Sequence, residues 1–374
     1  MHLTIAIPTY NRCEYLKKNI ESFDKVRRPN GIKLSLTISN SASEDSTEAY
    51  LEKISKERQD VFLFNKRMEW NGGNYGYLSN TIPDDADWVW FMGDDDYLSH
   101  EESLEKVCDI LLRENANADF GFIHACQARR SRDTGAVVSD TTFNLCNHFG
   151  YTEMLGWISS IIMRRQSFVD ALQKVDARAQ QARDEPALGN THSAFFQASY
   201  IFEEIYWMRG AFIDSPLVDM QDQEMTEATR QRWQSENMGE RYIYIIDDLQ
   251  RLKSQGLPIK DLRNEFFRYH EYQIWDRFII HQLNVLEAFG NGDDSELIKN
   301  SMARFVDNWG RISAIAGLLS DPVCKKQLTT IVENCIGLSN LFLETNFNPA
   351  VKELLLRQRE LHTVSEYDFC IAYA

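Results

Sequence analysis

The sequence predicts an α/β fold, a mostly parallel sheet flanked by helices over residues 1–220, followed by an all-helical domain over 240–374. Three observations carry this reading. Short apolar runs of strong β-formers alternate with stretches of helical spacing in the first part of the chain, the pattern of a parallel sheet. Each run ends in a loop of small polar residues. From about Glu240 the composition changes to long helical patterns.

Leu3 to Ile7 reads as the first strand, broken by Pro8-Thr9-Tyr10-Asn11-Arg12. Cys13 to Phe23 has helical spacing, with Tyr15, Leu16, Ile20 and Phe23 on one face. Leu34 to Ser39 is a second strand. It runs into Asn40 to Thr47, whose small polar residues suit wrapping a ligand and capping a helix over 47–58. Val61 to Asn65 is a third strand, followed by Asn71-Gly72-Gly73-Asn74, where backbone can approach a ligand closely. A helix is expected over 75–81. Trp88 to Met92 reads as a buried strand that ends in Gly93 and three successive carboxylates, Asp94, Asp95 and Asp96.

Beyond the triplet, Phe120 to Cys126 and Ala136 to Phe143 read as an antiparallel edge hairpin. Ser193 to Arg209 reads as a helix, and Phe212 to Val218, containing Pro216, as the last short strand. Gln221 to Asn237 is polar and reads as a hinge. Helical patterns then cover 241–254, 261–289, 294–319, 323–337 and 348–361, broken at Gly256-Leu-Pro258, Gly290-Asn-Gly292 and Asp321-Pro322. Phe266, Phe267, Tyr269, Tyr272, Trp275 and Phe278 surround most of one of these helices. They read as the buried centre of the helical domain. The sharper alternative is an aromatic face for a membrane-borne acceptor or a second subunit.

Composition bounds the function. The 374 residues include 12% aromatics, enough for a substantial core. A formal net charge of −16 argues against nucleic acid as a partner, which needs clustered Lys and Arg. Seven scattered cysteines without a Cys-x-x-Cys read as free thiols, not a disulfide frame or a zinc site. The chain runs into its first strand with no charged and apolar leader, and no apolar run reaches transmembrane length. A cytoplasmic protein is expected, with peripheral contact at the inner face of a membrane or self-association assigned to the C-terminal helices.

Asp94, Asp95 and Asp96 point to the chemistry. Three adjacent like charges at the mouth of a buried strand need a positive partner, and a divalent cation takes carboxylate oxygens readily. A solvated acidic turn or helix N-cap is the alternative. In parallel sheets ligands bind outside the carboxyl ends of the strands. Loops 8–12, 40–47, 71–74 and 93–96 all fall there, so one site is expected. No Gly-x-Gly-x-x-Gly or Walker loop is present, so phosphate neutralisation falls to a metal. A carboxylate–metal site of this kind suits a nucleotide-sugar.

Four motifs in this order resemble those of family 2 glycosyltransferases with the GT-A fold. They are Ile7-Pro-Thr-Tyr-Asn-Arg12, Ile38 to Thr47, Asn71-Gly72-Gly73 and Trp90-Phe-Met-Gly-Asp-Asp-Asp-Tyr-Leu98. The likeness covers roughly residues 1–215. The Gly-Asp-Asp-Asp form looks most like bacterial enzymes that build O-antigen or capsule, such as abequosyltransferase-like members. The resemblance implies that Pro8, Thr9 and Tyr10 line the base pocket, with the Tyr10 ring against a pyrimidine. It also implies nucleotide-sugar contacts from Arg12, Asn71, Gly73 and Asp94, with Asp95 as the first metal ligand, Asp96 as its support, and Mn²⁺ or Mg²⁺ as the metal. Asn40 stands where the family usually has an Asp on the base; an Asx-turn residue is the alternative there, as ordinary packing is for Tyr10. An amide presents a donor or an acceptor, so UDP is favoured while CDP and dTDP donors stay open.

The acceptor side departs from the family. Gly156 to Arg165 resembles the strand that closes it. Many relatives then carry a Glu-Asp pair at a helix start, one acid being the general base. Here His192 stands in the approximate slot, with Asp184 and Glu185 just upstream. Histidine titrates near neutrality, so it can serve an inverting transfer; a plain helix-start residue is the alternative. The expectation is a metal-dependent transferase acting on a glycan or lipid-linked glycan. An aspartate-dependent phosphotransferase and a non-catalytic sugar- or cation-binding module are the alternatives.

Overall fold

A computed structural model of the chain describes residues 1–65, 78–128, 130–184, 196–221, 251–257, 259, 283–295, 298–299, 310, 313 and 322–357. The chain divides into two compact units. The first comprises Met1–Cys146, Met154–Asn190 and Gln197–Gln223, and the second comprises Asn147–Glu153, Thr191–Phe196 and Glu224–Ala374.

The first unit is built on a mixed sheet. In chain order the elements are β1 (His2–Thr9), α1 (Cys13–Lys25), β2 (Lys33–Asn40), α2 (Thr47–Glu57), β3 (Val61–Asn65), β4 (Trp88–Phe91), β5 (Asp96–Leu98), α3 (Ser103–Glu114), β6 (Phe120–Gln127) and β7 (Val137–Thr141). There follow α4 (Thr142–Phe149), α5 (Tyr151–Leu155), a 3₁₀ turn (Ile158–Ser160), β8 (Ile161–Arg164), α6 (Arg165–Asp184), α7 (Phe196–Ile205) and β9 (Arg209–Met220). The strand order is β3-β2-β1-β4-β8-β6-β9-β5, with β7 also paired to β9. The first four strands are parallel, with Leu3 opposite both Leu34 and Trp88. Their carboxyl ends therefore lie along one edge, as the alternation of strand and helix predicts.

Core packing explains the sequence pattern. Leu3, Ile5 and Ile7 of β1 are fully buried and cluster with Leu16, Ile20 and Phe23 of α1 and with Trp88 and Trp90 of β4. Both indole N–H groups find acceptors: Trp88 Nε1 donates to Asn115 Oδ1 at 2.9 Å, and Trp90 Nε1 donates to the Ser159 carbonyl at 2.8 Å. Arg164 lies 4.1 Å over the Trp88 ring and donates to the carbonyls of Glu114, Asn115, Asn117 and Phe120. It thus satisfies the orphan acceptors where α3 ends and β6 begins.

Several expectations need correction. The segments 120–126 and 136–143 do not form a hairpin with each other. β7 pairs antiparallel with β9, and β6 pairs with β8 and β9. The buried Asp214 carboxylate fixes the connecting loop by accepting from Ser131 Oγ, Arg132 N and Thr134 Oγ1. The last strand is longer than expected, Arg209–Met220, and Pro216 sits at an irregularity within it: pairing jumps from Ile213 to Val218 against Ala125 and Gln127. α3 and α6 were not anticipated. Leu104, Val107, Cys108 and Leu111 give α3 a helical stripe in the core. The helix expected over 193–209 is described as α7 from Phe196, and Arg209 already belongs to β9.

In the second unit α8 (Pro322–Glu344) and α9 (Pro349–Arg357) follow the patterns at 323–337 and 348–361. Phe342 and Phe347 meet edge-on at 5.4 Å, and Lys352 pairs with Glu287. The aromatic cluster from Phe266 to Phe278 lies outside the described residues, as does the segment 222–250 that holds most of the expected hinge.

Removing the Trp90 indole should be costly, because its ring is fully buried and its N–H is paired. Trp90→Ala is expected to lose about 3–5 kcal/mol in urea denaturation. A loss under about 1 kcal/mol would contradict this packing.

Candidate functional site

The site is assembled where β1, β2 and β4 end. β1 closes on Thr9, whose buried Oγ1 donates to Asp94 Oδ2 at 2.7 Å. Pro8 before it is half-buried, and the Tyr10 ring after it is 51% exposed. Asn11 takes a left-handed backbone conformation, φ 54°, which Asn tolerates better than most residues. The bend is tied to the next loop twice: Asn11 N donates to Ser43 Oγ at 2.8 Å, and Glu44 N donates to Asn11 Oδ1 at 2.7 Å. Arg12 follows and reaches back to the triplet.

The loop after β2 is equally fixed. Ser41 N donates to the Thr9 carbonyl at 3.1 Å. Asn40 is buried and its Oδ1 accepts from both the backbone N and Oγ of Ser43. This is an Asx-type turn, so the amide oxygen of Asn40 serves its own loop. Asp45 accepts from the backbone N–H groups of Thr47 and Cys13, at the starts of α2 and α1. Burial raises the Asp45 pKa, but these donors outweigh it and hold the carboxyl below its ordinary range.

The triplet splits into three environments. Gly93 N donates to Ser159 Oγ at 2.8 Å, and Ser159 Oγ donates to Asp96 Oδ2 through a short hydrogen bond. Asp96 is buried, and burial first, then the neighbouring Asp95 charge, raise its pKa well above the ordinary carboxylate range. Asp94 is buried too, accepting from Thr9 and from Arg12 Nη1 at 3.2 Å. Burial pushes its pKa up to about 6 against the opposing pull of Arg12. Asp95 is the most open of the three and accepts from the same Arg12 Nη1 at 2.5 Å. Burial lowers the Arg12 pKa, but Asp94 and Asp95 together raise it, so the guanidinium stays charged.

Glycine is required before the triplet. A Cβ on Gly93 would stand 2.7 Å from Asp96 Oδ2 and 3.1 Å from Asp95 Oδ1. Two further residues brace the turn. Asn19 of α1 donates through Nδ2 to the carbonyls of Gly93, at 3.0 Å, and Asp96, at 2.5 Å. Gln221, just after β9, donates its backbone N–H to the Asp95 carbonyl and its side-chain amide to the Tyr15 carbonyl, each at 2.9 Å.

Thr9, Arg12, Asp94 and Asp95 are therefore in direct contact, and the Asn40 loop is tied to the same bend. Asp96 faces Ser159. Asn71, Gly73, Glu185 and His192 lie outside the described residues, and Asp184 is placed only as the last residue of α6. Sequence reasoning missed Asn19, Ser159 and Gln221. Asn19 left a signal: it is a polar residue on the same helical face as Leu16, Ile20 and Phe23.

The Asp94 shift fixes a pH dependence for the metal-free protein. Its carboxyl titrates near 3.8 when unfolded and about 6 when folded. Stability is fully present below 3.8 and lost as pH rises through about 6. Relative to Asp94→Asn, the wild type should lose on the order of 2–3 kcal/mol between those limits, read by urea denaturation in chelator. A pH-independent difference would contradict it.

Comparison with known proteins places the chain. Residues 4–172 match the model of glycosyl transferase family 2. Abequosyltransferase RfbV of Salmonella typhimurium is 27% identical over 101 residues, 27% of this chain and 30% of that protein. The uncharacterised glycosyltransferase MG060 of Mycoplasma genitalium is 29% identical over 103 residues, 26% of this chain and 34% of that protein. The matched segment thus spans about a third of these curated relatives. The crystal structure of S. aureus TarS 1-349 in complex with UDP-GlcNAc superposes with a TM-score of 0.51 at 13% identity, covering 94% of this chain and 91% of that one. The architecture is of the GT-A type, and residues 4–172 carry the likeness to glycosyl transferase family 2.

Proposed function

We propose that this chain is a metal-dependent, inverting glycosyltransferase. It moves a sugar from a nucleotide-diphosphate donor, UDP before CDP or dTDP, to a glycan or lipid-linked glycan in bacterial surface-polysaccharide synthesis. One observation carries the reading: Asp94 and Asp95 share a single Arg12 nitrogen, at 3.2 and 2.5 Å, beside Thr9 and Tyr10.

That geometry fits a divalent cation. The donor set is hard carboxylate oxygen, and one cationic nitrogen already bridges two of the three acids. Asp95, the most open, is the first ligand. Asp94 stands beside it, and Asp96 supports the turn from within through Ser159. A bound Mn²⁺ or Mg²⁺ would neutralise the donor diphosphate and stabilise charge on the leaving nucleotide. The exposed Tyr10 ring offers a stacking face to the base. The tethered loops 9–12 and 40–45 hold that face in place, so little ordering is left for the moment of binding.

The inverting step needs a base at the acceptor hydroxyl, and His192, with Glu185 and Asp184 as its substitutes, takes that role. The polysaccharide setting rests on the Gly93-Asp94-Asp95-Asp96 form, which resembles that of bacterial enzymes that build O-antigen or capsule. Among the described residues no helix is long and apolar enough to cross a membrane. A cytoplasmic enzyme meeting a lipid-linked acceptor at the membrane face accords with that.

Two experiments test the reading. With Mn²⁺ the protein should slowly hydrolyse a UDP-sugar, lose this activity in excess chelator, and lose it in Asp95→Ala. Cleavage of simple phosphate esters instead would make it a phosphotransferase. His192→Ala should lower kcat by roughly 10²–10⁴-fold with donor affinity kept. Wild-type turnover in that variant would return the base to Glu185 or Asp184.

A further inference from the structure

We infer that Arg12 is an exchangeable counter-ion that holds Asp94 and Asp95 in the donor-free enzyme and passes to the donor diphosphate when a cation takes the carboxylates. This rests on the nucleotide-sugar reading above and adds to it a coupling between cation and nucleotide.

The geometry supports it in three ways. First, Arg12 meets the acids through one atom: Nη1 alone contacts both Asp94 Oδ1 and Asp95 Oδ2. An arginine that builds a permanent structural pair with carboxylate typically uses its fork, two parallel N–H donors on two oxygens. Among the described residues Nε and Nη2 of Arg12 have no hydrogen-bond acceptor, so the rest of the fork is available for phosphate oxygens. Second, the Arg12 side chain is 38% exposed, while Asp94 beneath it is 8% exposed. The acids are fixed and the cation is at the surface, so the arginine is the partner that can leave. Third, Arg12 is anchored at its base. The left-handed Asn11 before it is tied to Ser43 and Glu44, and α1 begins directly after it. A swing of the side chain therefore leaves the loop intact.

Charge balance gives the direction. Two carboxylates and one guanidinium leave about one negative charge. Adding a divalent cation with Arg12 still in place brings two positive groups to the same oxygens, which repel. A diphosphate supplies the negative charge that both need. Arg12 therefore opposes a cation binding alone and favours cation and diphosphate binding together, so each raises the affinity for the other.

The test separates this from a structural role. Mn²⁺ binding to the full chain is read from the electron paramagnetic resonance signal of free Mn²⁺, without nucleotide, and UDP binding is read by calorimetry at saturating Mn²⁺. Arg12→Gln is expected to bind Mn²⁺ alone roughly tenfold more tightly and UDP roughly tenfold more weakly. Arg12→Lys, the second variant should Arg12→Gln fail to fold, keeps the charge without the fork. It should bind Mn²⁺ alone as the wild type does and UDP more weakly. If the wild type binds Mn²⁺ and Arg12→Gln binds it equally or more weakly, the exchange is overturned while the metal site stands. If neither protein binds Mn²⁺, the exchange and the metal reading both fall.

Discussion

Three carboxylates in succession at the end of a fully buried strand are the constraint on which the rest of this unit depends. Two unit charges 4 Å apart repel by about 4 kcal/mol at the dielectric typical of a protein surface. The fold relieves this by giving each acid a different fate. Asp96 turns inward to Ser159, and burial raises its pKa well above the ordinary carboxylate range. Asp94 is buried against Thr9 and touches Arg12. Asp95 lies at the open side, against the same arginine. The turn that presents them needs Gly93, the brace of Asn19 from α1, and Gln221 from the end of β9. Elements far apart in sequence are thereby committed to one short turn.

Rigidity follows from the same contacts. The loops after β1 and β2 are joined by side-chain hydrogen bonds at Asn11, Asn40, Ser43 and Asp45, none of which is a long flexible group. The long side chain of the site is the partly exposed Arg12. Fixed acids and a movable arginine make a site that can exchange its counter-ion without refolding its loops. That property suits a ligand carrying both a flat base and a highly charged diphosphate.

Much of this was legible in the sequence. The parallel strands, the polar loops at their carboxyl ends and the Gly-Asp-Asp-Asp turn are local patterns, and local patterns survive into the fold. What the sequence did not disclose is pairing. β7 meets β9 and not β6 because the Asp214 carboxylate captures the intervening loop, a contact more than eighty residues long in sequence. Ser159 and Gln221 are single polar residues with no periodicity to mark them, and only their distance to the triplet gives them meaning. Asn40 makes the Asx turn that its residue type allows alongside a base contact, with its oxygen held by Ser43. The separate environments of Asp94, Asp95 and Asp96 were also hidden, because identical residues in a row carry no sign of which will be buried.

The central claim is that the edge formed by Thr9, Tyr10, Arg12, Asp94 and Asp95 is a nucleotide-diphosphate site. A crystal structure of the full chain grown with UDP and Mn²⁺ tests it most directly. The account predicts density for a pyrimidine against the Tyr10 ring, with the diphosphate between Arg12 and an ion on Asp95. Well-ordered UDP bound elsewhere on the molecule, with Arg12 still on Asp94 and Asp95, would contradict it.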